Sequence, residues 1–382
     1  MDVEHEEGYT LAIEECLGEG QRGRIVRLHH DLHAPSMGGR VHLVERRAPV
    51  NRQNLVTSPV DALRALLADD MEAVNRLIRA RMSSEHAPRI PEISAHLIEA
   101  GGKRLRPLLT LAAARMCGYE GENHIRLAAT VEFIHTATLL HDDVVDESDR
   151  RRGRPTANLL WDNKSSVLVG DYLFARSFQL MVETDSLRVL DILANAAATI
   201  AEGEVLQLTV SRNLSTDETT YLQVVRGKTA ALFAAAAEVG GVIADRPEDE
   251  IAALRAYGDA LGIAFQIVDD LLDYGGASGT LGKNVGDDFR ERKITLPLIK
   301  ALAAADDAER AFWQRTIERG RQEEGDLEEA LALLLRHGAL EKTREAALAW
   351  SGRAREALTA LPPHPIRDHL GGLADFVVAR VS

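Results

Sequence analysis

The chain has 382 residues, of which 45% are hydrophobic and 4% aromatic, and its formal net charge is −14. This acidic balance argues against a general nucleic-acid-binding surface, so no nucleic-acid partner is expected. The two cysteines are too few for a disulfide framework, and they fit a reducing cytoplasm, which is the expected location. The predominance of alanine and leucine favours helix over sheet.

Residues 1–57 differ from the rest of the chain because they hold scattered His, Gly and Arg with little hydrophobic periodicity. We expect this segment to be disordered or loosely attached. Its acidic start is not followed by an apolar stretch, so it is not expected to be a signal peptide. The longest apolar run, 230–244, is short and interrupted by Glu238, so no transmembrane helix is expected.

From Ser58 onwards the pattern becomes helical. Ser58 and Pro59 are a typical helix start, and apolar residues recur at helical spacing from Leu63 to Ile78. Strand-like alternation is nearly absent, so residues 58–382 are predicted to form one all-α domain. Further helices are predicted at about 91–100, 105–117, 122–146, 164–184, 186–210, 217–226, 228–241, 247–273, 291–304, 307–319, 326–336, 338–360 and 364–380.

One apolar helix is predicted to end in a group of carboxylates, the first cluster (Asp142, Asp143 and Asp146). Asp142 and Asp146 lie about one turn apart on the same helical face, so they can hold a cation between them. Arg151 and Arg152 follow directly and favour an anion that the cation also touches. Taken alone, the basic run is equally consistent with surface charge.

The same theme recurs in the second cluster (Asp269, Asp270 and Asp273), which again ends an apolar helix. Carboxylates at this position oppose the negative end of the helix dipole. The arrangement is unfavourable unless cations gather there. Two such patterns in one chain therefore predict two cation sites.

Several basic segments are candidates for anion binding. In the turn 101–107, Lys103 and Arg106 stand at a helix N-terminus, where free backbone N–H groups also attract a phosphate-like anion. The alternative is a solvated basic turn. Lys228 and Thr229 add a cation and a hydroxyl between two helices, and the glycine-rich loop 275–286 carries Lys283 and is expected to close as a lid.

Two histidines precede the first cluster. His135 lies seven residues before Asp142 and so faces the same side of the helix about two turns lower. A lone helical histidine is more often a core residue, but its alignment with the acidic face favours a functional role. His141 points elsewhere and is predicted to be structural.

Together these motifs resemble the trans-polyprenyl diphosphate synthases over about residues 60–382, and most closely the bacterial long-chain decaprenyl and octaprenyl members. The resemblance implies a single bundle of antiparallel helices around a deep central cavity, as in isoprenoid synthases, and a homodimer. The motifs that carry it are Gly101-Gly102-Lys103-Arg104-Leu105-Arg106-Pro107, Asp142-Asp143-Val144-Val145-Asp146, Arg151-Arg152-Gly153, Gly227-Lys228-Thr229, Phe265-Gln266, Asp269-Asp270-Leu271-Leu272-Asp273 and Gly282-Lys283-Asn284.

The resemblance also implies a role for each motif residue. Two or three Mg²⁺ ions would bridge the clusters to an allylic diphosphate, farnesyl or geranyl, and isopentenyl diphosphate would be added repeatedly, with the departing pyrophosphate as a candidate base. The catalytic residues would be Asp142, Asp146, Arg151, Lys228 and Asp269. Isopentenyl diphosphate would be bound by Lys103, Arg106, His135 and Arg152, and the allylic diphosphate by Arg151, Lys228, Thr229, Gln266 and Lys283. Magnesium would be bound by Asp142, Asp143, Asp146, Asp269, Asp270 and Asp273.

Product length should depend on the depth of the apolar cavity below the first cluster. Ala137 and Thr138, five and four residues before Asp142, are small where short-chain relatives carry a bulky aromatic residue. Phe133 lies deeper on the same helix, and Phe174 of the next helix is a candidate for the floor. A decaprenyl product for the ubiquinone side chain is expected, and its release would involve peripheral contact with a membrane.

Other functions fit parts of the sequence. Solanesyl and octaprenyl products are alternatives in length. A helical His-Asp metal phosphohydrolase would use His141 and Asp142 but leaves the second cluster unexplained. A terpene cyclase normally has a different second metal site. A non-catalytic prenyl synthase subunit would usually lack intact clusters, and a purely structural helical protein explains neither cluster.

Overall fold

The computed structural model describes residues 58–99, 102–151, 153–275 and 285–381. Over these ranges the chain is almost entirely helical, which confirms the predicted all-α class. The expectation for residues 1–57 falls outside the described residues, as do the positions of Gly101, Arg152 and Lys283.

Helices follow one another with short connections. The elements are α1 Pro59–Leu66, α2 Ala68–Met82, α3 Arg89–Glu99, α4 Leu105–Met116, α5 Asn123–Val145, β1 Arg150–Arg151, β2 Arg154–Pro155, α6 Ala157–Leu160, α7 Asn163–Val182, α8 Leu187–Val210, α9 Glu218–Val225, a π-helical turn Arg226–Ala230, α10 Ala231–Ile243, α11 Glu248–Gly275, α12 Asp287–Arg290, α13 Leu296–Leu302, α14 Asp307–Trp313, a second π-helical turn Gln314–Glu318, α15 Asp326–Arg336, α16 Ala339–Leu358 and α17 Pro365–Ala379.

The core forms where the apolar helices meet. α11 packs against α10 and α16, α5 packs against α7, and α4 packs against α5 and α10. Small residues allow close approach: a Cβ atom added to Gly258 would lie 2.4 Å from the carbonyl oxygen of Phe233, so α10 and α11 touch backbone to backbone. This packing brings the C-terminal ends of α5 and α11, with their carboxylates, to the π-helical turn.

Three local features differ from the sequence prediction. The first helical run is broken at Leu67 (φ −112°, ψ 22°), which separates α1 from α2. The helix predicted from residue 291 begins at Leu296, because Arg292 is left-handed (φ 58°) and Pro297 fits a first turn. The basic run forms a two-residue antiparallel hairpin, with Arg150 opposite Pro155, where no strand was predicted.

One described helix, α11, is long and apolar enough to cross a membrane by length and composition alone. However, 67% of its most apolar window is buried inside the protein. That burial is typical of the central helix of a helical core.

Candidate active site

The first cluster ends α5, and its members have different environments. The Asp142 side chain is 15% exposed and lies 3.9 Å from the ammonium of Lys228. Burial raises the pKa of Asp142 to about 6, and the charges of Glu204 and Asp146 add to the rise, while Lys228 opposes it. Because burial disfavours the charged form of this carboxylate, a further cation beside it would be stabilising.

Asp143 faces away from this pair and is completely buried. Its Oδ1 accepts hydrogen bonds from Arg151, at 2.8 Å from Nε, and pairs with Nη2 at 2.7 Å. Its main contact is thus with the hairpin, which it ties to the end of α5. Asp143 therefore positions Arg151 beside the site.

Lys228 and Thr229 lie in the first π-helical turn. Such turns are frequent at functional sites because they redirect side chains within a helix. The Lys228 ammonium lies 2.9 Å from Glu204 of α8, in addition to its contact with Asp142. The Thr229 hydroxyl donates a 2.9 Å hydrogen bond to the Gln266 side-chain oxygen of α11.

The position of Lys228 depends on Gly203. A Cβ atom at residue 203 would lie 2.7 Å from the backbone nitrogen of Lys228 and 2.9 Å from Cα of Gly227. No real Cβ atom is accommodated at such distances from backbone atoms. The two glycines therefore let α8 and the π-helical turn meet closely enough for Glu204 to reach Lys228.

Gly203→Ala is expected to push the π-helical turn away from α8. We expect a loss of about 1–3 kcal/mol in the free energy of unfolding, as for other overpacked contacts. We also expect KM for the allylic diphosphate that the sequence resemblance implies to rise on the order of tenfold, since Lys228 moves from Asp142. Gly352→Ala is the control, because a Cβ atom there meets nothing within 4 Å. Equal KM and stability in both variants would contradict this account.

In the second cluster, Asp270 is held by two hydrogen bonds. The Tyr221 hydroxyl donates to its Oδ2 at 2.6 Å, and the Gln266 amide nitrogen donates to its Oδ1 at 2.8 Å. Burial raises the pKa of Asp270 to about 6, while these two hydrogen bonds oppose the rise. Because Gln266 donates to Asp270, its carbonyl oxygen is left to face Thr229.

The other two carboxylates of the second cluster have separate partners. Asp269 Oδ1 lies 3.2 Å from Arg380, which follows α17. Asp273 accepts a 3.0 Å hydrogen bond from the backbone N–H of Asp288, and its own carbonyl accepts one from Gly286 at 2.8 Å. Asp273 thus fixes the return of the chain after 276–284.

Lys293 lies beside the first cluster. Its ammonium is 3.7 Å from Asp146, and its charge also lowers the pKa of Asp270. Burial alone would lower the pKa of Lys293, but Asp146 and Glu291 outweigh burial and raise it. The positive charge of Lys293 therefore acts on a carboxylate of each cluster.

Three of the residues predicted for isopentenyl diphosphate, Lys103, Arg106 and His135, lie in the described structure. Arg106 Nη1 lies 3.1 Å from His135 Nε2, and its guanidinium stacks 4.4 Å from the ring centroid of Phe233. Lys103 lies 5.6 Å from the ring centroid of Phe376, and burial and the nearby Arg380 lower its pKa. His141, predicted to be structural, is 3.1 Å from the carbonyl oxygen of Val167.

Five residues of this site were not predicted from the sequence. Glu204 and Tyr221 are single polar residues within ordinary helices, and Gly203 shows its importance only through a backbone contact. The three basic residues Arg290, Arg292 and Lys293 could have drawn attention to this segment. The sequence carries no comparable signal for Arg380. The five are Gly203, Glu204, Tyr221, Lys293 and Arg380.

The donor set fits a hard divalent cation. Mg²⁺ prefers carboxylate oxygens and the oxygens of substrate phosphates. Near Asp142, the buried Oε1 of Glu204 has no hydrogen-bond partner in the described part of the chain. An ordered water of a bound metal ion would satisfy such an atom.

Comparisons with known proteins identify the family of the chain. The polyprenyl synthetase family profile matches residues 87–334. Octaprenyl diphosphate synthase of Escherichia coli is 44% identical over 84% of this chain and 99% of its own length. The crystal structure of a decaprenyl diphosphate synthase from Rhodobacter capsulatus is 72% identical, covers 85% of this chain and 100% of its own, and has a TM-score of 0.83.

A second solved structure bears on the ligands. Polyprenyl synthase from Caulobacter crescentus, complexed with calcium and isoprenyl diphosphate, is 53% identical with a TM-score of 0.81. It covers 85% of this chain and 99% of its own. The profile match, these identities and the shared all-α fold place the chain in the polyprenyl synthetase family, as a prenyltransferase.

Proposed function

We propose that the chain is a long-chain all-trans-polyprenyl diphosphate synthase that depends on Mg²⁺. It adds isopentenyl diphosphate units sequentially to an allylic diphosphate, farnesyl or geranyl. The observation that carries the proposal is that two adjacent residues reach both clusters: Lys228 lies 3.9 Å from Asp142, and Thr229 bonds to Gln266, the partner of Asp270.

Three of the carboxylates would bind metal, and the other three would hold the site together. Asp142, Asp146 and Asp269 would be the main ligands of two or three Mg²⁺ ions. When bound, magnesium would supply Lewis-acid stabilisation of the charge on the departing pyrophosphate. Asp143, Asp270 and Asp273 would support the ligands through Arg151, through Tyr221 and Gln266, and through the backbone of 286–288.

Basic side chains would bind the two diphosphates. Arg151, Lys228 and Lys283 would neutralise the leaving pyrophosphate. Thr229 and Gln266 present oxygen atoms, which would lie beside the allylic cation as the carbon–oxygen bond breaks. Arg106, His135, Lys103 and Arg152 would hold isopentenyl diphosphate, whose double bond attacks that cation.

Loss of a proton then restores a double bond and makes the product allylic again. We propose that the proton passes to the departing pyrophosphate, because carboxylates beside it are already paired with Lys228, Gln266 and Arg380. The lengthened product can re-enter the same cycle, which accounts for sequential addition.

Ten isoprene units are proposed for the product, as the precursor of the ubiquinone side chain. The support is the 72% identity to the Rhodobacter capsulatus decaprenyl diphosphate synthase, compared with 44% to the octaprenyl enzyme of Escherichia coli. Octaprenyl and solanesyl products are the alternatives. A growing tail would pass Thr138 and Ala137 toward Phe133, whose ring is completely buried.

Ala137→Phe is expected to shorten the product by several isoprene units, because the ring would block the path that a methyl group leaves open. Ala137 is 1% exposed, so any space beside it lies inside the protein. Reverse-phase chromatography of the dephosphorylated product measures the change. Ala349→Phe, at an exposed position of α16, is the control. An active Ala137→Phe variant with the wild-type product would refute this assignment.

We also propose a homodimer in the cytoplasm. Large apolar side chains stand exposed along α7 and α8, where a second copy of the chain would cover them. Release of a product with a long apolar tail would involve peripheral contact with a membrane. The side chains concerned are Val167, Leu168, Phe178, Val182, Leu187, Val205 and Leu208.

The proposed activity is tested with purified protein, Mg²⁺, farnesyl diphosphate and labelled isopentenyl diphosphate. We expect the label to enter a lipid-soluble diphosphate, and chelation of the metal to prevent it. Geranyl diphosphate in a parallel reaction compares the starters. Absence of label from the lipid-soluble fraction with both starters would refute the synthase assignment. Phosphate release without condensation would favour a metal phosphohydrolase.

A further inference from the structure

The C-terminal helix places an arginine against the second cluster. Arg380 directly follows α17, and its Nη1 lies 3.2 Å from Asp269 Oδ1. The Arg380 side chain is only 17% exposed, and its guanidinium stacks 5.8 Å from the ring centroid of Phe265. The pair is therefore partly withdrawn from water on the side of α11 that carries the carboxylates.

Arg380 is held in place by a well-packed helix. α17 contacts α1, α4, α11 and α16, and its residues Val377 and Val378 are buried. One turn before Arg380, the ring of Phe376 lies beneath the ammonium of Lys103. The packing of α17 thus determines where the guanidinium stands.

Two positively charged side chains share the single carboxylate of Asp269. Arg380 and Lys103 both attract this carboxylate, and their positive charges repel each other. The charge of Arg380 lowers the pKa of Lys103, while the charge of Asp269 raises the pKa of Lys103. A divalent ion approaching Asp269 meets a carboxylate that already has a monovalent partner. It also meets repulsion from that partner at short range.

We propose that Arg380 is a resident counter-ion of the second cluster, which a metal ion must displace from Asp269 in order to bind. The inference rests on the proposed function, since it takes Asp269 as a metal ligand. Arg380 would keep the metal affinity of the empty site low. A diphosphate arriving with the metal would offer the displaced guanidinium a new anion, so that metal and diphosphate bind together.

The test measures Mn²⁺ binding to the full chain without substrate, by electron paramagnetic resonance of the free ion. Arg380→Gln is expected to bind Mn²⁺ on the order of fivefold more tightly, which is the contribution of one partly exposed ion pair. Arg380→Lys keeps the charge and is expected to stay near wild type. An unchanged or weaker affinity in Arg380→Gln would overturn the proposal.

Two further variants separate this inference from the proposed function. Arg355→Gln removes an arginine that is also 3.2 Å from an aspartate, Asp375, on the exposed side of α16, and should leave Mn²⁺ affinity unchanged. Asp269→Asn should weaken it. If Asp269→Asn and Asp142→Asn both bind Mn²⁺ as the wild type does, the metal site itself is wrong. If they weaken binding while Arg380→Gln does not strengthen it, only the role of Arg380 fails.

Discussion

Asp142→Asn is expected to lower kcat/KM by about 10³-fold or more while making the metal-free protein more stable. The loss of activity follows because an amide cannot replace a charged ligand in the stabilisation of the leaving group, which is worth several kcal/mol. The gain in stability follows because burial raises the pKa of Asp142 from 3.8 to about 6, so folding disfavours its charged form.

The sign of the stability change depends on pH. Above about pH 6 the aspartate is charged in both states, and asparagine should stabilise the fold by up to about 3 kcal/mol, the value of a two-unit pKa difference. Below its ordinary pKa of 3.8 the carboxyl group is neutral in both states, and the gain disappears. Thermal unfolding with a chelator, at pH 7.5 and at low pH, measures this difference in stability between Asp142→Asn and the wild type.

The matched control is Asp185→Asn. Asp185 is exposed just after α7, where Asn123 of the N-terminal end of α5 bonds to the preceding Thr184. It is therefore about 30 Å from Asp142, the length of α5. Its left-handed backbone (φ 55°) suits asparagine, so neither activity nor stability should change. A destabilised Asp142→Asn with full turnover would contradict the account.

Lys228→Met is expected to reduce kcat/KM for the allylic diphosphate by about 10²–10³-fold, as the loss of one charged contact to a transition state does. It should also destabilise the protein, because Glu204 at 2.9 Å and Asp142 at 3.9 Å lose the cation between them. Steady-state kinetics with each substrate varied in turn measures the change, and KM for isopentenyl diphosphate should change less.

Lys300→Met provides the comparison. The Lys300 side chain is 24% exposed, against 25% for Lys228, and its ammonium lies 2.7 Å from a glutamate, Glu218, at the start of α9. It touches neither cluster in the described structure. We expect a similar change in stability and near-normal kinetics. Equal kinetic losses in both variants would mean that the charge of Lys228 has no special role.

The sequence predicts most of this fold because its helices have clear periodicity and separate starts and stops. It fails where the backbone leaves ideal geometry. Because Arg292 has a left-handed backbone, α13 begins only at Leu296. The hairpin that holds Arg151 is too short to show an alternating pattern in the sequence.

The candidate site was predictable where motifs are local. Asp142 and Asp146 share a helical face, so their spacing alone indicates a joint role. Partners from distant segments carry no such signal. Tyr221 and Arg380 reach the second cluster, and Glu204 reaches Lys228, only after α9, α17 and α8 have packed. Sequence spacing also treats Asp143 like its neighbours, although the structure turns it toward Arg151.

In the proposed reaction, the two clusters break an allylic carbon–oxygen bond as a carbon–carbon bond forms. This coupling is tested by comparing the pyrophosphate released with the isopentenyl units incorporated, in one reaction with farnesyl diphosphate and Mg²⁺. We predict one pyrophosphate for each unit incorporated, throughout elongation, and loss of both signals together in Asp142→Asn. Release of pyrophosphate or phosphate without matching incorporation would contradict the account.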